Sequence, residues 1–393
     1  MAFGIFQVYY SQHPLFSAQA KLIPTIGTLA TGISYFGVPF ANPIAHGFPL
    51  YHRHFVILGW LICVVSLVGA SFATHVWHLL LCQGVIYGVG SVVCNVPIMN
   101  MLNGWFIKRR GLAYGIQFAS SGVSGVVLPF VMQPLLSRYG FRTALRAYVV
   151  AVVVLSGPGL LAIKHRTPPQ SPAQKSQLTQ EITRISSVLL RNRTAWLFSV
   201  PVLLQGLAFF LPNIFLPSYA RSLELPASNG PILLAFIAAA QVGGQILLGY
   251  MSDKVSIYIP TTVSTVVSCL SVFLLWGLGK SLAPLIVLAI LWGFFANSYS
   301  VLWTRIATEL TTTPEEMMTI YGWFSLERGI GNMVAGPIGA GLLRSEVHIE
   351  EYGIARYMGI VMFTGAMLAA SSLVGLGYFF DKGKDVAETV DDK

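Results

Sequence analysis

Charge is scarce in this chain: 10% of its 393 residues are Asp, Glu, Lys or Arg, where a soluble domain carries about a quarter. Beside 54% hydrophobic residues, that scarcity excludes an ordinary water-soluble domain. Cysteine is equally sparse. Cys63, Cys82, Cys94 and Cys269 all lie inside apolar runs with no CxxC or Cys/His spacing, so neither a disulfide framework nor a metal site is expected. Paired carboxylates, HExxH and the GxSxG nucleophile elbow are missing, and with them the common catalytic sets; the chain reads as a non-enzyme with no cofactor. Its glycine clusters sit in apolar helical patterns rather than after strands, which rejects a nucleotide-binding turn.

Acids are fewer than bases, and the formal net charge is +9. In a soluble protein this would suggest nucleic acid, but here the cations stand in short loops between apolar runs. Topology explains them, and no nucleic-acid partner is expected. The one glycosylation-type triplet, Asn192-Arg193-Thr194, falls in the most basic loop, on the side expected to be cytosolic, and reads as a chance match.

What the chain does have is length in its apolar runs. A membrane span needs roughly 20 helical residues to cross about 30 Å. Residues 22–45, 55–72, 76–100, 112–136, 144–163, 195–219, 230–251, 257–279, 281–303, 319–343 and 357–380 qualify, which predicts eleven helices. The charge-free stretch from Phe55 to Ile107 must fold back near Thr74 and His75, since one straight helix of that length would reach about 80 Å. Before these spans stands Met1 to Tyr10, too short to cross and unlike a signal peptide; the expectation is that it ends a first span whose beginning is missing.

Loop cations set the orientation. With Lys108, Arg109 and Arg110 inside and alternating spans, fifteen lysines and arginines fall on the cytosolic side and eight on the other. The three arginines Arg138, Arg142 and Arg146 count against the bias. The longest polar segment divides six spans, counting the fragment, from six more. The expected organisation is an N-terminal helical half over 1–163, a cytoplasmic linker over 164–193, a C-terminal six-helix half over 194–380 and a cytoplasmic tail over 381–393.

The run Trp105 to Gly125 carries a more specific signal. Phe106, Lys108, Arg109, Arg110, Leu112, Ala113 and Gly115 match the pattern aromatic-Phe-x-Lys-Arg-Arg-x-Leu-Ala-x-Gly, and Ala119, Ser120 and Gly122 continue it. Tyr139-Gly140-Phe141-Arg142 and Arg328-Gly329-Ile330-Gly331-Asn332 with Gly336-Pro337 are further fits. On these residues the chain resembles the monocarboxylate-porter family of the major facilitator superfamily, in its fungal branch. The resemblance implies an all-α polytopic membrane protein of two six-helix halves that rock about a central site. It also implies a secondary transporter of a small organic anion or related metabolite, working by alternating access, with the plasma membrane as the default location. Residues 230–251 hold no charge and the first helix is cut, so the lysine, aspartate and arginine relay that the resemblance would supply for proton coupling is not carried over. A coupling proton therefore stays an open partner. Export of a fungal secondary metabolite, and a non-transporting membrane sensor or inactive truncated product, are the alternatives.

Glu327 and Arg328 are the only acid and base well inside an apolar span. Ionisable groups at depth cost several kcal/mol unless paired or hydrated, so they mark a pathway unless they snorkel to the nearby cytosolic end. Adjacent helical positions point about 100° apart, so the two do not face each other squarely. Asn213, Gln241 and Asn297 are the uncharged substrate-binding candidates, against a plain role as interhelical glue. Lys108, Arg109, Arg110, Asp253 and Lys254 form a candidate cytoplasmic gate. Gly249-Tyr250-Met251-Ser252-Asp253-Lys254 resembles the superfamily's G-x-x-S-D-[KR] core, and its acid is expected to meet the N-terminal end of the helix that follows Arg109-Arg110.

Overall fold

With no water in a hydrocarbon layer, every backbone N–H and C=O must be satisfied within the chain, and a helix does this segment by segment. The computed structural model describes residues 3–106, 109–163, 193–226, 229–311, 314–343 and 354–373, and among them there are helices and no strand. In chain order the helices are α1 (Phe3–Gln12), α2 (Ile23–Phe36), α3 (Val38–Gly47), α4 (His52–Ala70), α5 (Val76–Leu79), α6 (Tyr87–Trp105), α7 (Arg110–Ala162) and α8 (Arg193–Ser222). They continue with α9 (Asn229–Ser252), α10 (Tyr258–Leu270), α11 (Leu282–Leu291), α12 (Leu302–Leu310), α13 (Pro314–Leu342) and α14 (Ala355–Ser372).

The ranges predicted as spans are helical almost throughout their described residues. Among those residues, seven helical stretches are long and apolar enough to cross a membrane: Pro49–Ala70, Val76–Trp105, Arg110–Leu160, Ala195–Ser222, Asn229–Ser252, Tyr258–Trp276 and Leu282–Leu310. The chain folds back between Ala70 and Val76, around Thr74 and His75. Where the sequence predicts unbroken spans, the structure inserts π-helical turns at Leu80–Ile86, Ser271–Trp276 and Trp292–Ala296. In such a turn the hydrogen bond reaches one residue further back, as Asn297 N–H does to the Trp292 carbonyl at 3.0 Å, and the helix face rotates beyond it.

By packing, the chain divides into two units: Met1–Ile107 with Ser124–Ile185, and Lys108–Val123 with Ser186–Lys393. The predicted linker over 164–193 lies outside the described residues except for Arg193, as does the predicted tail over 381–393. The first unit is centred on an aromatic knot. Tyr10, His13 and Phe16 each meet the Phe141 ring at a steep angle, 5.4–5.7 Å between centroids, and Gln83 Nε2 donates to the Tyr10 hydroxyl at 3.1 Å. In the second unit the core gathers on Trp276 and Trp292. There the Tyr219 hydroxyl donates to the carbonyls of Trp276 and Gly279, fastening the end of α8 to the turn after α10.

Gly140 makes the Phe141 contact possible. Its φ of 74° and ψ of 172° fall where side chains are essentially forbidden, and there α7 turns back without a loop, so its 53 residues form two rods. Two of the three arginines that weigh against the charge bias have local partners at this end. Arg142 lies over the Phe141 ring, and Arg146 lies 4.9 Å from the Phe72 centroid with Nε 3.4 Å from Ser71 Oγ. Gly140→Ala should lower stability by about 1–3 kcal/mol. Gly157→Ala, where an added Cβ meets nothing within 4 Å, should be neutral or slightly stabilising. Thermal unfolding of the two purified variants checks both; equal midpoints would remove the strain assigned to Gly140.

Candidate functional site

The site lies in the second unit, where α8 and α13 pack side by side. Ser199 meets Glu327, Gly206 meets Arg328 and Gly331, and Phe215 meets Gly339, so residue numbers rise together and the two helices run parallel. Their close approach at Gly206 and Gly331 brings the α13 ion pair of positions against the polar side of α8.

Arg328 is fully buried. Its guanidinium carbon stands 3.2 Å from the Phe209 ring centroid and 5.7 Å from that of Trp303, so aromatic faces from α8 and α12 flank the charge. A desolvated cation on such faces gains about 2 kcal/mol, which offsets part of the cost of burying it. The reading in which Arg328 snorkels to water has no support in this arrangement. Glu327 is 6% exposed. One of its carboxylate oxygens accepts from Ser199 Oγ, and Trp323 Nε1 donates to the same Ser199 hydroxyl at 3.0 Å. The other oxygen is buried with no hydrogen-bond partner among the described residues.

The uncharged candidates fall into a second group. Asn297 Nδ2 donates to Gln241 Oε1 at 3.4 Å, and Gln241 Nε2 donates to Ser121 Oγ at 3.3 Å, a relay from the broken α11–α12 region through α9 to α7. The π-helical turn at Trp292–Ala296 and the tight turn at Tyr299–Val301 set Asn297 and Tyr299 in place. Asn213 instead bonds back to its own helix at the Phe209 carbonyl, 3.0 Å away. Thus Glu327 and Arg328 share one cluster, Gln241 and Asn297 another, and Asn213 supports the Phe209 segment. Ser199, Trp323 and Trp303 were not singled out from sequence. The spacing of Trp323 four residues before Glu327, on one helical face, was the available signal.

At the candidate gate, Asp253 accepts from two backbone N–H groups, Gly111 to Oδ1 and Leu112 to Oδ2, both at 3.0 Å. The acid caps α7 from outside, where unsatisfied donors and the helix dipole both favour an anion. Only glycine permits this approach: a Cβ on Gly111 would meet Ser252 Oγ and the Gly249 carbonyl, and one on Gly115 would stand 2.5 Å from the Gln245 carbonyl. Helices α7 and α9 run antiparallel along this seam. The acid therefore meets the helix end as expected, through its backbone. Arg110 Nη1 lies 4.0 Å from Met317 Sδ, Lys254 extends over the Tyr250 ring, Arg109 is exposed, and Lys108 lies outside the described residues.

Apolar helices of spanning length around a buried, aromatic-flanked charge define an integral, multi-pass membrane protein of the transporter class. The chain belongs to the Major Facilitator Superfamily, whose profile matches residues 1–336. It is 26% identical to the MFS transporter asaE of Aspergillus flavus over 95% of this chain and 83% of that one. It is 24% identical to the aspyridones efflux protein apdF of Emericella nidulans, over 97% and 79%. Monocarboxylate transporter 10 of Danio rerio is 26% identical, over 94% and 74%. In fold it is similar to the fucose:proton symporter of E. coli, with a TM-score of 0.71 at 12% identity, covering 95% of this chain and 94% of that one. Family and fold are those of transporters, not enzymes.

The two Asp253 bonds have a direct readout. Asp253→Asn keeps one acceptor oxygen and loses the charge, so the Gly111 and Leu112 amides should exchange hydrogen about 5- to 100-fold faster, with Asp253→Ala faster still. Hydrogen–deuterium exchange of the peptide over 110–116 measures this. Unchanged exchange in both variants would show that α7 is held there by its glycine packing alone.

Proposed function

We propose that this chain is a secondary active transporter that moves a small organic anion by alternating access, with Arg328 as the anchor for the anionic group. The observation that carries this reading is a guanidinium wholly buried in a membrane helix and flanked by Phe209 and Trp303. Intramembrane cations are expensive and mark a substrate path. The similarity to a monocarboxylate transporter supports an acid as cargo, and the similarity to a fungal efflux protein supports the second reading, export of a secondary metabolite. The two converge where the exported metabolite is itself an acid. The plasma membrane is the default location. Asp253 belongs to the same cycle: it fastens the first turn of α7, and making and releasing its two bonds is the gating step.

Arg328→Ala should lower uptake or efflux of the transported anion by at least about 10- to 100-fold with surface expression intact, and Arg328→Lys should recover only part, because the planar fork is lost. Flux of radiolabelled acids in cells or proteoliposomes measures it; full activity in Arg328→Ala would sink the anchor role.

Glu327 is the place for a coupling proton. Among the described residues it has no ion-pair partner, one oxygen bonded by Ser199 and one oxygen unmet, so a proton removes the cost of holding a charge there. Glu327→Gln should abolish the response of flux to a pH gradient while leaving exchange of substrate for substrate. A variant that still accumulates substrate on a pH gradient would assign Glu327 to structure.

A further inference from the structure

A hydroxyl in an apolar helix ordinarily returns to a carbonyl three or four residues back on its own helix, as Thr265 does to Thr261 and Ser268 to Ser264. Ser298 and Ser264 do not. Ser298 Oγ stands 3.1 Å from the Gly293 carbonyl, five residues back, and 3.2 Å from the Gln241 carbonyl of α9. Ser264 Oγ of α10 donates to the Phe295 carbonyl at 2.8 Å. Both serines are fully buried. We infer that Ser298 and Ser264 are positioning residues: their hydroxyls hold the π-helical turn at Trp292–Ala296 in place, and that turn sets the rotation at which Asn297 and Trp303 meet their partners.

The turn needs such donors. In an α-helix the Asn297 N–H would reach the Gly293 carbonyl, but here it goes to Trp292, one residue further back, at 3.0 Å. The Gly293 carbonyl thereby loses its usual donor at a depth where no water replaces it. The single Ser298 proton takes that place, shared between the carbonyls of Gly293 and Gln241. Two carbonyls further on, Phe295 is served by Ser264 from a neighbouring helix. Glycines bring α9 against the turn: a Cβ on Gly293 would run into the Ile237 carbonyl, and one on Gly244 into the Phe294 carbonyl and to 2.5 Å from Ser298 Oγ. With Gly293 seated on α9 in this way, the segment beyond the turn is the part free to rotate.

One residue taken up by the turn shifts everything beyond it by about 100° and about 1.5 Å relative to a regular helix. With the turn in place, Asn297 Nδ2 donates to Gln241 Oε1 at 3.4 Å, and the Trp303 ring centroid stands 5.7 Å from the Arg328 guanidinium carbon. Closed to an α-helix, the same chain would present Ala296 where Asn297 now stands and Leu302 where Trp303 does. Two serine hydroxyls thereby decide which side chains face Gln241 and Arg328. Register, not cargo, is at stake, so this role stands or falls apart from the anion reading above.

Cross-linking on the full purified chain reads the register. With Cys63, Cys82, Cys94 and Cys269 replaced by alanine, a short bifunctional thiol reagent is applied to two pairs, Gln241→Cys with Asn297→Cys and Gln241→Cys with Ala296→Cys. The pair at 241 and 297 should couple faster, and equal rates overturn the register role at once. Ser298→Ala or Ser264→Ala should lower the ratio of the two rates by about 5- to 100-fold, the effect of leaving a buried acceptor unmet. Deleting Ala296 from the Ser298→Ala chain turns the Asn297-to-Trp292 bond into an ordinary helical one and gives the Gly293 carbonyl the Ser298-position N–H, so coupling at 241 and 297 should recover. A serine that only fills space would not be rescued by shortening the turn. A ratio unchanged in both alanine variants overturns the inference, and so does a pair at 241 and 297 that stays slow after the deletion. If the alanine variants do not fold, deletion of Ala296 alone decides: coupling at 241 and 297 should persist, and its loss, or failure of that shorter chain to fold, overturns the role of the turn.

Discussion

A backbone surrounded by hydrocarbon has no water to bond, and almost every feature of this protein answers that one constraint. It makes every described segment helical and sends many hydroxyls back to the carbonyls of their own helices, as Ser34 does to Ala30 and Ser268 to Ser264. Departures from the regular ladder are correspondingly informative. The Gly140 turn seats Phe141 in the aromatic knot of the first unit, and the π-helical turn before Asn297 rotates Asn297 and Tyr299 into a polar region of the second.

The same constraint makes a buried charge costly, which is why Glu327 and Arg328 stand out in the second unit. Their adjacency does not make them a pair. Glu327 is bonded by Ser199, which Trp323 bonds in turn, whereas Arg328 reaches Phe209, which lies ten residues beyond Ser199 on the same helix, about 15 Å along its axis. A helix that turns 100° per residue thus places an acid and a base in two different surroundings. One surrounding is hydrogen-bonded and the other aromatic. In the function proposed above, this separation is what leaves one group for a proton and the other for an anion.

The Asp253 contact shows how far a motif can be read from sequence. The Gly249 to Lys254 core was legible, and so was the meeting of its acid with the start of α7. That the partners are the Gly111 and Leu112 N–H groups depends on how closely two helices approach. Glycines 111, 115 and 249 set that distance. Gln241 and Asn297 were likewise legible as polar residues in apolar helices. Their bond to each other and onward to Ser121 was not, because a π-helical turn shifts the register of one helix against the other.

Hydropathy is a local property that adds along the chain, so the sequence by itself determined that this protein crosses a membrane, that it is helical, where its helices lie and which two charges are out of place in them. Ser199 and Glu327, or Gly206 and Gly331, stand more than 100 positions apart, and whether they meet depends on the depth and rotation of two helices. No local pattern encodes those quantities. Small residues that let backbones touch, and rings that fill what remains, decided them only when the helices packed.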